Sequence, residues 1–186
     1  MAIIHRATLE PTKAELVAAW LPTQTWFDGP ADVATPVGAY RFDDPDGEVG
    51  IESHLFEVGG RLVHVPLTYR GAPLDGAEES LVGTMEHSVL GTRWVYDGPA
   101  DPVYVAELTR VVSEGDQQVR MWVETPEGDR VEREPTMRVR GSGGDPQDAG
   151  VVVVRWPAPG ADAPARAVLT GTWAGQDEPV ALAYLG

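Results

Sequence analysis

Between residues 37 and 69 the chain alternates apolar and polar side chains in three runs, Val37–Phe42, Glu48–Val58 and Arg61–Tyr69, separated by Asp-Asp-Pro-Asp-Gly and by Gly59-Gly60. Period-two alternation between turn residues predicts an antiparallel meander, and Gly-Gly between two such runs is a two-residue hairpin signal. A tight turn there sets His54 opposite Val65 and Leu55 opposite His64. Ile51 and Leu55 then face one side while Val63, Val65, Leu67 and Tyr69 face the other. Either the sheet is covered on both faces, or the register is off by one residue and every side chain is flipped.

Two stretches change to a helical period. Thr12 with Glu15 three residues later forms a capping box, Leu16, Val17, Trp20 and Leu21 give one apolar stripe, and Pro22 ends the segment. The second helix starts with Asp101 as N-cap and Pro102 at the first helical position, carries Val105, Leu108, Val111 and Val112 on one stripe, and stops at Gly115. Upstream, Ile3–Leu9 reads as a strand with Ile3, His5, Ala7 and Leu9 on one side. Leu81–Leu90 fits helix and strand alike, and Arg93–Tyr96 is a strand. Beyond Gly115, Val119–Glu124 and Arg130–Glu134 flank a Pro-Glu-Gly-Asp turn, with Met137–Arg140 extending that hairpin. Gly141–Gly150 reads as a mobile loop and Val151–Trp156 as an apolar strand. A turn-rich linker leads to a last hairpin, Ala167–Trp173 with Val180–Leu185, around Gly-Gln-Asp-Glu. Two helices against seven or more strands indicate an α+β fold with a largely antiparallel sheet. The change of texture at Gly115 divides the chain into residues 1–115, an α+β domain, and 116–186, a β-rich extension that either joins the same sheet or forms its own layer.

Composition adds three constraints. The 186 residues suffice for a sizeable core. A net charge of −15 repels phosphate backbones and anionic lipid, so nucleic-acid and membrane partners are not expected. There is no cysteine, and the start of the chain lacks the basic and apolar regions of a signal peptide, so a cytoplasmic protein is expected. Arginine outnumbers lysine 13 to 1.

That imbalance limits the available chemistry. The single lysine, Lys13, falls in the first turn of a surface helix, where a solvated role is expected, and no phosphate loop or kinase catalytic loop occurs. Gly141-Ser142-Gly143-Gly144 precedes a strand and not a helix, so it reads as a flexible loop. His54 and His64 point to opposite sheet faces, and His5 and His87 have no metal-ligand spacing, so no metal or cofactor is expected. Ser80, Ser88, Ser113 and Ser142 lack a nucleophile context. Glu48 with Glu52, and Asp97 with Asp101, could pair as acid and base. A solvated strand face and a helix cap account for them more simply. The six tryptophans could include a sugar-stacking platform, although most should be core.

Three motifs then narrow the field: Trp20–Phe27 (WLPTQTWF), Val65–Leu74 (VPLTYRGAPL) and His87–Val103 (HSVLGTRWVYDGPADPV). Together they resemble the N-terminal cap domain of actinobacterial maltokinases, over roughly residues 1–115. The resemblance implies a cystatin-like α+β cap, and it marks Trp20, Pro22, Trp26, Tyr69, Arg70, His87, Arg93, Trp94, Tyr96 and Asp97 as family-motif or interaction residues, none of them catalytic. The nucleotide lysine and catalytic loop of such kinases lie beyond the cap and have no counterpart here, so no kinase activity is expected. The implied function is a freestanding, non-catalytic module of trehalose/maltose to α-glucan (glycogen) metabolism that binds or regulates a maltose or sugar kinase or a glucan-processing enzyme. The alternative is a small-molecule or carbohydrate binder with an aromatic-lined site.

Overall fold

The computed structural model describes residues 2–4, 8–30, 34–124, 129–145, 150–161 and 167–186. In chain order the elements are β1 (Ala2–Ile4), β2 (Leu9–Glu10), α1 (Lys13–Trp20), β3 (Thr35–Asp43), β4 (Gly50–Val58), β5 (Arg61–Arg70), β6 (Leu81–His87), β7 (Gly91–Asp97), α2 (Pro102–Glu114), β8 (Met121–Glu124), β9 (Arg130–Arg133), β10 (Met137–Gly141), β11 (Val151–Val153), β12 (Val168–Trp173) and β13 (Gln176–Leu185). The fold is α+β and dominated by antiparallel sheet. The expected strand over Ile3–Leu9 is present at both ends, as β1 and β2, and its middle, residues 5–7, lies outside the described residues. The Pro-Glu-Gly-Asp turn, residues 126–129, also lies outside them except for Asp129.

The largest sheet has six strands in the order β2-β6-β7-β5-β4-β3. Its β4–β5 hairpin keeps the tight-turn register, with His54 opposite Val65 and Leu55 opposite His64. Gly59 and Gly60 both take positive φ, 58° and 78°, which the two-residue turn requires and which glycine adopts without penalty. The puzzle of apolar residues on both faces resolves as a sheet covered twice. On one face Val63, Val65, Leu67, Phe56 and Val95 pack under Leu16, Val17 and Trp20 of α1. On the other, Tyr40, Phe42, Ile51 and Leu55 pack against Leu108, Val111 and Val112 of α2 and against Met137, Val139, Leu169 and Leu182. The segment left ambiguous by its pattern, Leu81–Leu90, is strand β6 with its hairpin turn.

The C-terminal strands form two further sheets. β10, β12, β13 and β11 make a four-stranded sheet in the order β10-β12-β13-β11, and β1 lies parallel to β8 in a three-stranded sheet, β1-β8-β9. Met137–Arg140 therefore does not extend the β8–β9 hairpin. Val139 and Met137 are 2% and 1% exposed, and that face is buried only when β10 pairs with β12 beneath α2.

Both helix starts follow their sequence signals: Thr12 accepts from the Glu15 amide while the Glu15 carboxylate accepts from Thr12, and Asp101 accepts from Val103 N. Gly115 ends α2 in the left-handed region at φ 67°. The segment after β10 supplies what this helix end lacks. Gly143 N donates to Val112 O at 2.9 Å and Gly144 N to Ser113 O at 3.0 Å, while Gly141 N donates to Asp116 O at 2.8 Å. Helix C-termini leave carbonyls without intrahelical partners, and these glycine amides satisfy two of them. The expectation of a mobile loop from Gly141 is thus corrected over residues 141–145, the remainder at 146–149 lying outside the described residues.

Candidate functional site

The capping box that starts α1 sets Lys13 above β4. There Lys13 Nζ donates to Glu52 Oε2, and the ammonium stands 5.2 Å from the Tyr69 ring centroid. His54 Nε2 lies 3.1 Å from Tyr69 Oη and 3.8 Å from Glu52 Oε2, and Arg41 is the β3 residue opposite Glu52. The side chains of Lys13 and Glu52 are only 28% and 13% exposed. The expectation of a solvated lysine and a solvated Glu52 is corrected here. The apolar run of α1 packs onto the sheet and leaves the pair only partly open to water.

Electrostatics decide what this cluster can do. Burial alone would raise the Glu52 carboxyl, but His54, Lys13 and Arg41 outweigh it and hold it at about 2. Burial lowers His54 to about 4, the pull of Glu52 notwithstanding, so the ring is neutral at pH 7. Burial also pushes the Tyr69 phenol well above its ordinary value. General acid–base catalysis at neutral pH works best with a group titrating near 7, and none of these three does. Among the described residues no group of three or more His, Asp or Glu side chains is placed to hold a metal ion.

All the motif residues but Tyr69 fall into three places. Trp20 meets Trp26 edge-on at 5.9 Å, Trp26 meets Phe27 edge-on at 6.1 Å, and Phe27 stacks on Trp156 at 5.5 Å, with Pro22 in the short 3₁₀ turn between Trp20 and Trp26. The Arg155 guanidinium lies 4.6 Å over the Trp26 ring and pairs with Asp97, and Arg61 lies 3.6 Å over Trp156. Around the start of α2, Arg70 grips Asp101 through two hydrogen bonds of 2.7 Å, and Tyr96 Oη accepts from Leu74 N at 2.9 Å. Trp94 lies between Arg70 and Thr84 in the sheet register. At the β6–β7 turn, His87 Nδ1 accepts from Val89 N and Leu90 N, and Arg93 donates to Leu90 O. Tyr69 stands apart from all three, in the Lys13 cluster. The fold therefore joins Trp20, Pro22, Trp26 and Asp97 into one assembly and keeps His87 and Arg93 away from it. Arg155 and Trp156, which complete that assembly together with Arg61, come from outside the motifs. Their only mark in the sequence is an Arg-Trp pair ending an apolar run.

Residues 20–101 match the maltokinase N-terminal cap domain. No curated protein matches the chain. The cap-domain match covers less than half of the 186 residues and includes β3 to β7, so it supports a cap-like module over that stretch. Within the cap segment the motif residues hold the sheet, its turns and the entry to α2. No helix among the described residues is long and apolar enough to cross a membrane.

At the C-terminal boundary of the cap match, Asp101 is fully buried and serves twice, as N-cap of α2 and as partner of Arg70. Burial opposes its ionisation, yet the hydrogen bonds from Arg70 prevail and hold the carboxyl below its ordinary value. Asp101→Ala removes the cap and strands the guanidinium, so a loss of about 2–3 kcal/mol is expected in urea denaturation. Asp101→Asn, which keeps the cap, should lose less. Equal losses for the two variants would mean that the ion pair contributes nothing.

Proposed function

We propose that this chain is a non-catalytic cap-type module, with residues 1–115 as a cystatin-like cap and 116–186 as its β-rich extension. In this reading it acts in the cytoplasm, on the trehalose/maltose to α-glucan route, by binding and regulating a maltose or sugar kinase or a glucan-processing enzyme. The observation that carries the reading is the cap-domain match over residues 20–101. It is supported by the engagement of the candidate acid–base groups in internal pairs: Glu52 with Lys13, Asp97 with Arg155, and Asp101 with Arg70. A helix laid across one face of an antiparallel sheet, as α1 lies over β6 and reaches β4 through Lys13, suits the cystatin-like form.

The carbohydrate-binding alternative has less behind it. Trp20, Trp26, Phe27 and Trp156 pack on one another, and guanidinium groups cover faces of Trp26 and Trp156 that a sugar would need.

The test is an affinity pull-down of the tagged full chain from the cytosol of its source organism, identified by mass spectrometry against a tag-only control. Enrichment of a sugar kinase or an α-glucan enzyme, followed by a change in that enzyme's rate when the purified module is added, is the expected result. Recovery of neither enzyme class would overturn the proposal.

A further inference from the structure

Arginine is unevenly distributed in this acidic chain. Arg61, Arg70, Arg110 and Arg155 each have a carboxylate within ion-pair distance. Between positions 120 and 140, by contrast, there are five arginines in 21 residues. Four of them, Arg120, Arg133, Arg138 and Arg140, line a cleft of about 490 Å³ between the β8–β9 hairpin and the four-stranded sheet.

The register of that sheet explains one wall. Along β10 burial alternates strictly, with Met137 and Val139 in the core and Arg138 and Arg140 exposed. Their cross-strand partners are Thr172 and Thr170, and residues opposite each other in an antiparallel pair share a face. Two guanidinium groups and two hydroxyls therefore project together from the face turned away from the core. Arg120 and Arg133 approach from the other wall.

Neutralisation within the cleft is weak. Glu134 lies 3.1 Å from Arg138 and Glu132 lies 3.8 Å from Arg120, but these pairs are open to solvent, with arginine side chains 66% and 72% exposed. Pairs of that kind contribute at most about 1 kcal/mol. Arg133 and Arg140 stand in no ion pair among the described residues, although Asp116, already paired with Arg110, lies near enough to feel the charge of Arg140, and both side chains are exposed. Four like charges around one cleft repel each other, and an anion seated between them relieves the repulsion.

We propose that this cleft binds a small phosphate ester, held by Arg133 and Arg140 with Thr170 and Thr172 as further donors. The guanidinium fork matches phosphate oxygens in pairs, and a tetrahedral phosphate accepts from several directions at once. The cleft volume is in the range of ordinary small-ligand sites, roughly 300–1,000 Å³. A long polyanion is disfavoured, because beyond the cleft it meets a molecule of net charge −15. The proposal is independent of the partner enzyme.

The experiment is isothermal titration calorimetry of the full chain at low salt with glucose 6-phosphate, ATP, inorganic phosphate, glucose and adenosine, alongside sedimentation with phosphatidylglycerol vesicles. Glucose 6-phosphate or ATP should bind with an affinity that falls as salt rises, while glucose and adenosine give no heat. The R133A/R140A double variant should weaken binding at least about tenfold, the loss of two charge-assisted contacts. R133K/R140K, which keeps charge without the fork, should fall between, and R61A, outside the cleft, should bind as the unmodified chain does. Unchanged melting temperatures for the double variants would separate lost binding from lost fold. Flat titrations with both esters would overturn the proposal, as would inorganic phosphate binding as tightly as they do, vesicle binding alone, or an affinity indifferent to R133A/R140A.

Discussion

Gly141→Ala should lower the stability of this protein by about 3 kcal/mol or more, an effect at the upper end of overpacking substitutions. A Cβ at this position would stand 2.1 Å from the Val111 carbonyl oxygen and 2.7 Å from Val112 Cα, both of them backbone atoms of α2. A flexible side chain could swing aside, but helix backbone cannot. Relief would require α2 to lift from β10, and Val111 and Val112 on that turn are wholly buried in the core shared with the C-terminal sheet. Lifting would also break the amide contacts from Gly143 and Gly144 that close the helix end. The control is Gly175→Ala, at φ 81° with open space around the new Cβ, where only the backbone penalty of about 1–2 kcal/mol applies. Urea denaturation of both variants measures the difference. A loss for Gly141→Ala no larger than that of Gly175→Ala would mean that α2 does not rest on β10 as described.

This position also marks where local reasoning from sequence stops. Features fixed by neighbours in the chain were legible: the Thr12–Glu15 capping box, the Gly59-Gly60 turn with its register, and the Asp101-Pro102 start of α2 all stand as their residues indicate. Gly-Ser-Gly-Gly has the composition of a loop whether its amides face water or a helix end, and only the position of α2 decides which. The same holds for Met137–Arg140, whose partner β12 begins 27 residues beyond the end of β10 while the nearer β9 is left to β8. Lys13 reads as a surface residue because helical periodicity shows which face is apolar and not which strand residue lies beneath its rim. At the candidate site, the motif residues could be picked out by resemblance, but their clamp, Arg155 over Trp26 and Trp156 on Phe27, returns from far down the chain. The arginine-lined cleft did leave a mark, the crowding of arginine between 120 and 140. A count of charge alone cannot tell a cleft from a solvated strand.

Acid should destabilise this fold well before ordinary carboxylates titrate, and two histidines on opposite faces of the six-stranded sheet are the reason. His64, with Nε2 3.0 Å from Tyr40 Oη, is fully buried, and burial together with the charge of Arg155 lowers it to about 3. His54, under α1, is lowered to about 4. In the unfolded chain both bind a proton near pH 6.5. Between those limits the unfolded state carries more protons, so the histidines' contribution is complete above about pH 6.5 and is lost as pH falls toward their folded values. Each adds a slope of up to about 1.4 kcal/mol per pH unit, which amounts to a loss on the order of 5 kcal/mol by pH 4. Glu52, depressed to about 2, extends the loss below its unfolded value of about 4.5. Asp97 acts in the opposite sense, because burial raises its carboxyl in spite of Arg155, and its protonation recovers a part. Denaturant midpoints at pH 7, 6, 5 and 4 measure the slope directly. His64→Gln should be less stable at pH 7 yet flatter between pH 6 and 4 by about the slope of one histidine. If the unmodified protein instead holds its midpoint from pH 7 to 4.5, both rings must stay accessible to protons in the folded state, and the sheet cannot be sealed on both faces.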